Sequence, residues 1–285
     1  MSTGSESPLP AKRGVNEVAG HPAAEGESKG LSVEGSKGDA VLDSSTLRPL
    51  DAAKQPKYPV YERFYTWQGE GVHLGRAAYF IRLYGCPQHC PWCDSAGTWH
   101  PEYRPESVGL MDAQALADAV AAESPAGAVV IITGGEPILF DLAPLTDALH
   151  AIGRRVHIET SGIAPLRGEL DWVTLSPKPT QKWPLPEVVA HADEVKIIVH
   201  EPQDIAAGLA TLDGLRDDAV IWLHPEWSRA REREMRVLNA ITEAVKADPR
   251  LRAGYQMHKL YRADDLDEHS DKRLIPLGGN ERLGY

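Results

Sequence analysis

The run A-V-V-I-I-T, Ala128 to Thr133, is almost unbroken in its apolar character and stops at a pair of glycines, and it limits what this chain can fold into. It is too short for a buried helix and has no polar face for a half-exposed strand. Strands of this kind are covered on both sides, as in a parallel sheet flanked by helices. Further strands are expected at Ala77–Tyr84, Arg155–Glu159, Asp171–Leu175, Glu194–Val199, Ala219–Leu223 and Ala253–His258. Helical periodicity falls between them, at Asp112–Glu123, Asp141–Ile152, Pro202–Leu212 and Arg229–Lys246. In the first of these Leu116, Ala117, Val120 and Ala121 share a face and Asp112 can cap the start. Strand and helix in alternation predict an α/β fold with a parallel sheet, open or curled into a partial barrel. The functional residues of such folds lie beyond the C-terminal ends of the strands, so the motifs described below are all expected at that rim.

The stretch G-C-P-Q-H-C-P-W-C-D-S-A-G-T, Gly85 to Thr98, follows the first long apolar strand and holds all 3 cysteines of the chain. Cys86, Cys90 and Cys93 are close enough for one loop to aim three thiolates at a single inorganic centre. A closed structural zinc site wants four ligands, and an electron-carrying [4Fe–4S] cluster is normally held by four cysteines. Three thiolates would leave one iron open, and an open metal position is a reactive one. A Cys3His zinc site completed by His89 or His100 is the alternative reading of the same residues.

Net charge is −11 over 285 residues, which argues against a general nucleic-acid or anionic-membrane surface. An anionic substrate would have to be met by a local basic pocket. Three cysteines make no disulfide framework, and a thiolate cluster needs a reducing compartment. No apolar run is long enough to span a bilayer, and the first residues lack the apolar core of a signal peptide, so a cytoplasmic location is expected. Residues 1–57 contain neither aromatic residues nor isoleucine, and are expected to form a disordered tail. The core domain is expected over residues 58–285, with a polar C-terminal extension from about 260.

Two further motifs bear on the cysteines. T-G-G-E-P, Thr133 to Pro137, closes the apolar strand: its glycines allow close approach of backbone to a ligand, and Glu136 can accept from an ammonium group. Read alone it is a strand-ending turn. Upstream, Y-E-R-F-Y-T-W-Q-G-E-G runs from Tyr61 to Gly71, a strand entering a Gly-rich turn.

The C-x3-C-x2-C spacing resembles the cluster motif of the radical S-adenosylmethionine (SAM) enzymes, and T-G-G-E-P resembles the turn that binds the methionyl amine of SAM in them. W-Q-G-E-G followed by G-R-A-A-Y-F-I-R-L-Y-G-C is similar to the N-terminal part of the 7-carboxy-7-deazaguanine synthase family. The resemblance runs from about Tyr61 to Lys259 and implies a partial (β/α) barrel of the radical SAM type. It also implies a [4Fe–4S] cluster on Cys86, Cys90 and Cys93. SAM contacts carry over to Trp92, Cys93, Asp94, Gly135, Glu136, Ser176, Pro177, Lys178, Gln256, Met257, His258 and Lys259. Substrate contacts carry over to Trp67, Gln68, Gly69, Glu70, Arg82 and Thr133. Arg82 suits a substrate carboxylate because its guanidinium is a rigid fork. Ser95 stands where the family has a threonine at a Mg2+ ion, keeping the oxygen and losing the methyl. A helix cap is the other reading of Asp94 and Ser95.

The implied reaction is a lyase step of queuosine-type 7-deazapurine biosynthesis. A 5′-deoxyadenosyl radical from SAM starts the conversion of 6-carboxy-5,6,7,8-tetrahydropterin to 7-carboxy-7-deazaguanine, with loss of ammonia. The implied partners are the small-molecule pterin, a reductant such as flavodoxin or ferredoxin, and a second copy of the chain in a homodimer, with no nucleic acid and no membrane. Two other functions fit the cysteines. One is an activase that places a glycyl radical on a partner protein, and the other is a zinc-binding module without catalysis. Family members often close the substrate site with a C-terminal proline; this chain ends R-L-G-Y, and Pro276 is the nearest substitute.

Overall fold

In a computed structural model the described residues are 56–178 and 182–263, and they all belong to one compact unit. The expected tail up to residue 55, Pro179 and the C-terminal extension from 264, Pro276 included, lie outside the described residues. The chain runs β1 (Lys57–Trp67), β2 (Ala77–Leu83), β3 (Gly109–Asp112), α1 (Ala113–Glu123), β4 (Val129–Gly134), α2 (Ala143–Ala151), β5 (Val156–Thr160) and β6 (Trp172–Leu175). It continues with α3 (Pro186–His191), β7 (Glu194–Val199), α4 (Gln203–Leu209), β8 (Val220–Pro225), α5 (Trp227–Arg231), α6 (Met235–Ala247), β9 (Leu251–Ala253) and α7 (Met257–Leu260). Lys57, read as the end of the tail, is the first residue of β1.

The strands form one sheet in the order β3-β1-β2-β4-β5-β6-β7-β8-β9. From β2 to β9 every pairing is parallel, while β1 and β3 join antiparallel at one edge. Period-two alternation sorts the side chains. Tyr79, Ile81, Leu83, Val130, Ile132 and Ile158 pack outward against Leu116 and Val120 of α1 and Leu145 and Leu149 of α2. Val195, Ile197, Val199, Ile221 and Leu223 do the same against Val188 of α3, Ile205 of α4 and Val237 and Ile241 of α6. Each such side chain contributes on the order of 1.5–3 kcal/mol on burial. The alternate positions, among them Arg82, Thr133, Glu159 and Lys196, face a shared interior instead. That interior is polar because its strands curl around a ligand space, the expected partial barrel.

Backbone pairing does not close the ring, but side chains and one main-chain bond do. Met257 N donates to Gly69 O (3.0 Å), which joins the start of α7 to the loop after β1. Ser124 ends α1, and Arg154, almost fully buried, donates to the carbonyls of Val120, Ser124, Pro125 and Ala128 around that end. Val120 O also accepts from Ser124 N and Oγ, and Pro125 O from Ala128 N, so the guanidinium adds to the bonding around the helix end and the turn after it.

Three expectations are corrected. The strand placed at Ala253–His258 is the short β9, and Met257 and His258 begin α7. The single helix over Arg229–Lys246 is two, because Glu226 caps α5 through Ser228 N and Glu234 caps α6 through Arg236 N, with Arg233 in the left-handed region between them. The W-Q-G-E-G loop is not at the rim that carries the cysteines. Antiparallel pairing sets Trp67 opposite Ala77, at the start of β2, so this loop enters the barrel from the far end.

Candidate active site

Two loops leave β2 and β4 side by side. Gly85 turns with φ 105°, and its carbonyl accepts from Glu136 N (2.8 Å), while Leu83 O accepts from Gly135 N (2.9 Å). Gly134 sits at φ 141°, and a Cβ on it would lie 2.2 Å from Leu83 O. A Cβ on Gly135 would lie 2.2 Å from Gly85 O and 2.9 Å from Cys86 Cβ. The glycine pair therefore lets the T-G-G-E-P turn press against the cysteine loop, and a side chain at either place would part them.

Cys86, Cys90 and Cys93 are free and all line one cavity of about 420 Å³. Burial pushes the Cys86 thiol up to about 12 and the Cys93 thiol up to about 11, in the latter case helped by the Asp94 carboxylate. Neutral thiols are poor ligands, so a bound cation would have to deprotonate them, as coordinating metals do. Among the described residues no three His, Cys, Asp or Glu groups are placed to hold a single ion. A lone zinc needs its sulfurs within about 2.3 Å of one point, whereas a cluster presents separate irons to separate thiolates. Three cysteines around one chamber fit the cluster.

Above the chamber Glu136 is 1% exposed, and its carboxylate is saturated with protein donors. One oxygen accepts from Thr160 Oγ1 and Ile138 N, the other from Ser161 N and Ser161 Oγ. Those are the four lone-pair sites a carboxylate has, and burial still holds its pKa above the usual value. Glu136 thus ties the turn after β4 to the E-T-S-G turn after β5. Lys178 donates from Nζ to Ser176 O (2.8 Å) and Ser176 Oγ (2.7 Å). Asp94 accepts from Gln256 Nε2 (2.9 Å) and has Lys259 Nζ at 3.5 Å. Burial alone would raise its pKa, but Lys259 and the Gln256 amide bring it to about 2. Ser95 Oγ lies 3.4 Å from Asp94 Oδ1.

The floor of the chamber is the loop that follows β1. Gln68 donates from Nε2 to Glu159 Oε1 (2.8 Å) and accepts from Glu70 N (3.2 Å). Lys196, with 5% of its side chain exposed, stands between Glu70 Oε2 (2.8 Å) and Glu159 Oε2 (3.1 Å). Burial opposes its charge, but Glu159 and Glu70 raise its pKa well above that of a free lysine. Gln256 donates to Glu70 Oε1 (2.8 Å) as well as to Asp94 and so links floor to roof. Val72 N donates to Glu194 Oε2 (2.8 Å), a buried carboxylate that also accepts from Trp172 Nε1 and Trp222 Nε1, which anchors the loop inside the barrel. On the wall Arg82 donates from Nε to Glu62 Oε1 (2.6 Å), one of five donors in its fork.

The structure brings nearly all the sequence-derived candidates together. Trp67, Gln68, Gly69, Glu70, Arg82, Thr133, the cysteines, Trp92, Asp94, Ser95, Gly135, Glu136, Ser176, Lys178, Gln256, His258 and Lys259 all line the cavity; Pro177 and Met257 do not. Lys196, Glu159, Gln88 and Trp227 line it too and were not anticipated. Lys196 had a signal, a lysine inside the otherwise apolar stretch V-K-I-I-V.

A curled parallel sheet with three cysteines in the loop after its first parallel strand defines a radical SAM protein, and the sequence signature of the Radical SAM superfamily matches residues 80–177. A 7-carboxy-7-deazaguanine synthase of Synechocystis sp. is 38% identical over 182 residues, 64% of this chain and 84% of the relative. One of Flavobacterium psychrophilum is 36% identical over 204 residues, 70% and 90% of the two chains. The crystal structure of QueE from Escherichia coli superposes with a TM-score of 0.58 at 34% identity, covering 71% of this chain and 95% of that one. The chain belongs to the 7-carboxy-7-deazaguanine synthase family, and with it to the enzymes that use SAM and a [4Fe–4S] cluster. No helix among the described residues is long and apolar enough to cross a membrane.

Proposed function

We propose that this chain converts 6-carboxy-5,6,7,8-tetrahydropterin to 7-carboxy-7-deazaguanine with release of ammonia. The observation that carries the reading is the single chamber with cysteines at one end and a buried polar floor at the other. Cluster and SAM, when bound, supply the one-electron, hydrogen-abstracting chemistry of the reaction. The protein binds, orients and excludes water.

Cys86, Cys90 and Cys93 hold the cluster, and the Gly135–Glu136 turn receives the amine of SAM. Because the Glu136 carboxylate is already saturated by Thr160, Ser161 and Ile138, its part is to hold that turn rigid and to supply buried negative charge. Trp92, Asp94, Ser176, Lys178, Gln256, His258 and Lys259 form the remaining SAM wall. Gln68 and Thr133 hydrogen-bond the pterin, with Trp67, Gly69 and Glu70 beneath it. The Arg82 fork, steadied at Nε by Glu62, takes the substrate carboxylate. Ser95, with Asp94 beside it, offers few protein oxygens to Mg2+, which suits an ion that keeps waters and takes a substrate oxygen. Phe80, Trp92, Trp99 and Trp227 line the same chamber and keep it dry. We further propose a cytoplasmic homodimer reduced by a flavodoxin or ferredoxin.

Anaerobic incubation of the reconstituted protein with SAM, Mg2+, a reductant and the carboxytetrahydropterin tests this, with the product followed by mass spectrometry. 7-Carboxy-7-deazaguanine is expected from the intact protein and not from Cys90→Ala. Cleavage of SAM with no pterin product would overturn the assigned substrate.

A further inference from the structure

Inside the C-x3-C half of the cysteine motif, Gln88 is 1% exposed although both its neighbours lie in a loop and His89 takes a left-handed φ of 47°. Its amide is engaged at both ends. Nε2 donates to Ser161 Oγ (3.2 Å) and to Lys182 O (3.2 Å), and Oε1 accepts from Lys182 N (3.1 Å). Ser161 in turn donates from both N and Oγ to Glu136. The backbone N–H of Gln88 points at the Cys86 sulfur and lowers the pKa of that thiol, against the larger upward effect of burial.

The geometry points to Gln88 as a positioning residue that fixes the cysteine loop against the turn receiving SAM. Two kinds of tie join those loops. One is the pair of backbone bonds at the root, from Gly135 N to Leu83 O and from Glu136 N to Gly85 O. The other is the side-chain relay Gln88–Ser161–Glu136, nearer the cysteines. Ties confined to the root leave the rest of the cysteine loop free to swing, whereas a further tie nearer the cysteines fixes the angle. The angle decides how far a metal centre on the cysteines stands from an amine on the Gly135–Glu136 turn. Gln88 also pins the backbone of Lys182 beyond β6, on the segment that carries Ser176 and Lys178. This inference rests on the assignment of that turn to SAM, and it is independent of the identity of the pterin.

Gln88→Ala and Gln88→Glu in the full-length reconstituted protein test it. The glutamate keeps the bond from Lys182 N but sets an acceptor against Lys182 O, and against a Ser161 hydroxyl whose proton already goes to Glu136. Iron and sulfide content measure the cluster, and titration of the reduced cluster with SAM, followed by electron paramagnetic resonance, measures the docking of SAM on it. Both variants are expected to keep full iron and sulfide, and to need roughly tenfold or more SAM for the spectral change. The KM for SAM should rise in parallel, and the KM for the pterin should stay within about twofold. An unchanged SAM titration in both variants overturns the inference, even if the melting temperature falls. So does loss of iron and sulfide in step with activity, which would make Gln88 a cluster-assembly residue. Failure of the pterin reaction alone, with the SAM shift intact, would overturn the proposed function and leave this inference standing.

Discussion

Lys196 Nζ lies 2.8 Å from Glu70 Oε2, a contact made across 126 residues of chain and buried in the floor of the chamber. With Glu159 at 3.1 Å on its other side, one cation holds two carboxylates. The pair joins the loop after β1 to the middle of β7, which are distant in both sequence and sheet order.

Lys196→Met would leave those carboxylates buried and facing each other. Breaking a buried pair costs about 3–5 kcal/mol, and at roughly 2–4 °C per kcal/mol for a domain of this size the melting temperature should fall by about 10 °C. Glu70→Gln added to Lys196→Met should restore part of the loss, since it removes one stranded charge. A melting temperature unchanged by Lys196→Met would show that the pair contributes nothing to stability.

Two interior histidines set a response to acid. Burial pushes His157 down to about 3, with His73 and Arg155 adding to it, and pushes His224 down to about 4 although Glu70 pulls the other way. Both are therefore neutral in the folded protein where the unfolded chain already binds protons, below its histidine value of 6.5. Stability is complete above that value and is lost as pH falls from it toward the folded pKa values. Urea unfolding between about pH 7.5 and 5 should register a loss of roughly 4 kcal/mol. His157→Phe should remove about half of it, and an unaltered pH dependence in that variant would count against the assignment.

Arg154 serves four carbonyls near the end of α1 with one guanidinium. Arg154→Met keeps the apolar stem and takes the guanidinium from Ser124 O and Ala128 O, at about 1–3 kcal/mol for each one left unsatisfied, while Val120 O and Pro125 O keep the N–H groups of Ser124 and Ala128. Thermal unfolding should shift down by roughly 5–15 °C, while activity at low temperature persists because the site is elsewhere. A shift below about 2 °C would mean that those carbonyls are satisfied without the guanidinium.

Gly134 and Gly127 should answer oppositely to alanine. At Gly134 the methyl meets Leu83 backbone atoms that cannot move aside, at a φ that L residues avoid, whereas at Gly127 nothing lies within 4 Å. Gly134→Ala should lose soluble protein or about 3 kcal/mol or more, and Gly127→Ala should hold or gain up to about 1 kcal/mol. Equal melting temperatures for the two would contradict the close approach of the T-G-G-E-P turn to β2.

What could be read in the sequence follows what is local. The sequence places β7 at Glu194–Val199 and β2 to within a residue, because an apolar run between turn signals is written in consecutive letters. β3 and β9 carry exposed residues and no such run, and α3 is too short to establish a helical period. The cysteines and the T-G-G-E-P turn announced themselves by spacing. Glu70 stood in the W-Q-G-E-G motif, but its meeting with Lys196 and Glu159 did not show, since nothing in the letters says that positions so far apart will share a floor. The direction of β1 was equally hidden: a strand followed by a Gly-rich turn reads the same whichever way it runs in the sheet.

That direction makes β2 a ruler. The W-Q-G-E-G loop precedes its first residue and the cysteine loop follows its last, so Ala77–Leu83 separates the roots of the two loops, whose tips meet inside the barrel through Gln256. At about 3.3 Å per residue the span is on the order of 20 Å, and it is held by pairing with β1 on one side and β4 on the other. The two roots cannot be moved apart by changing a loop, because two paired strands would have to lengthen together. Capacity for a larger or smaller guest is therefore left to a single variable, how far the tip after Trp67 reaches up the bore.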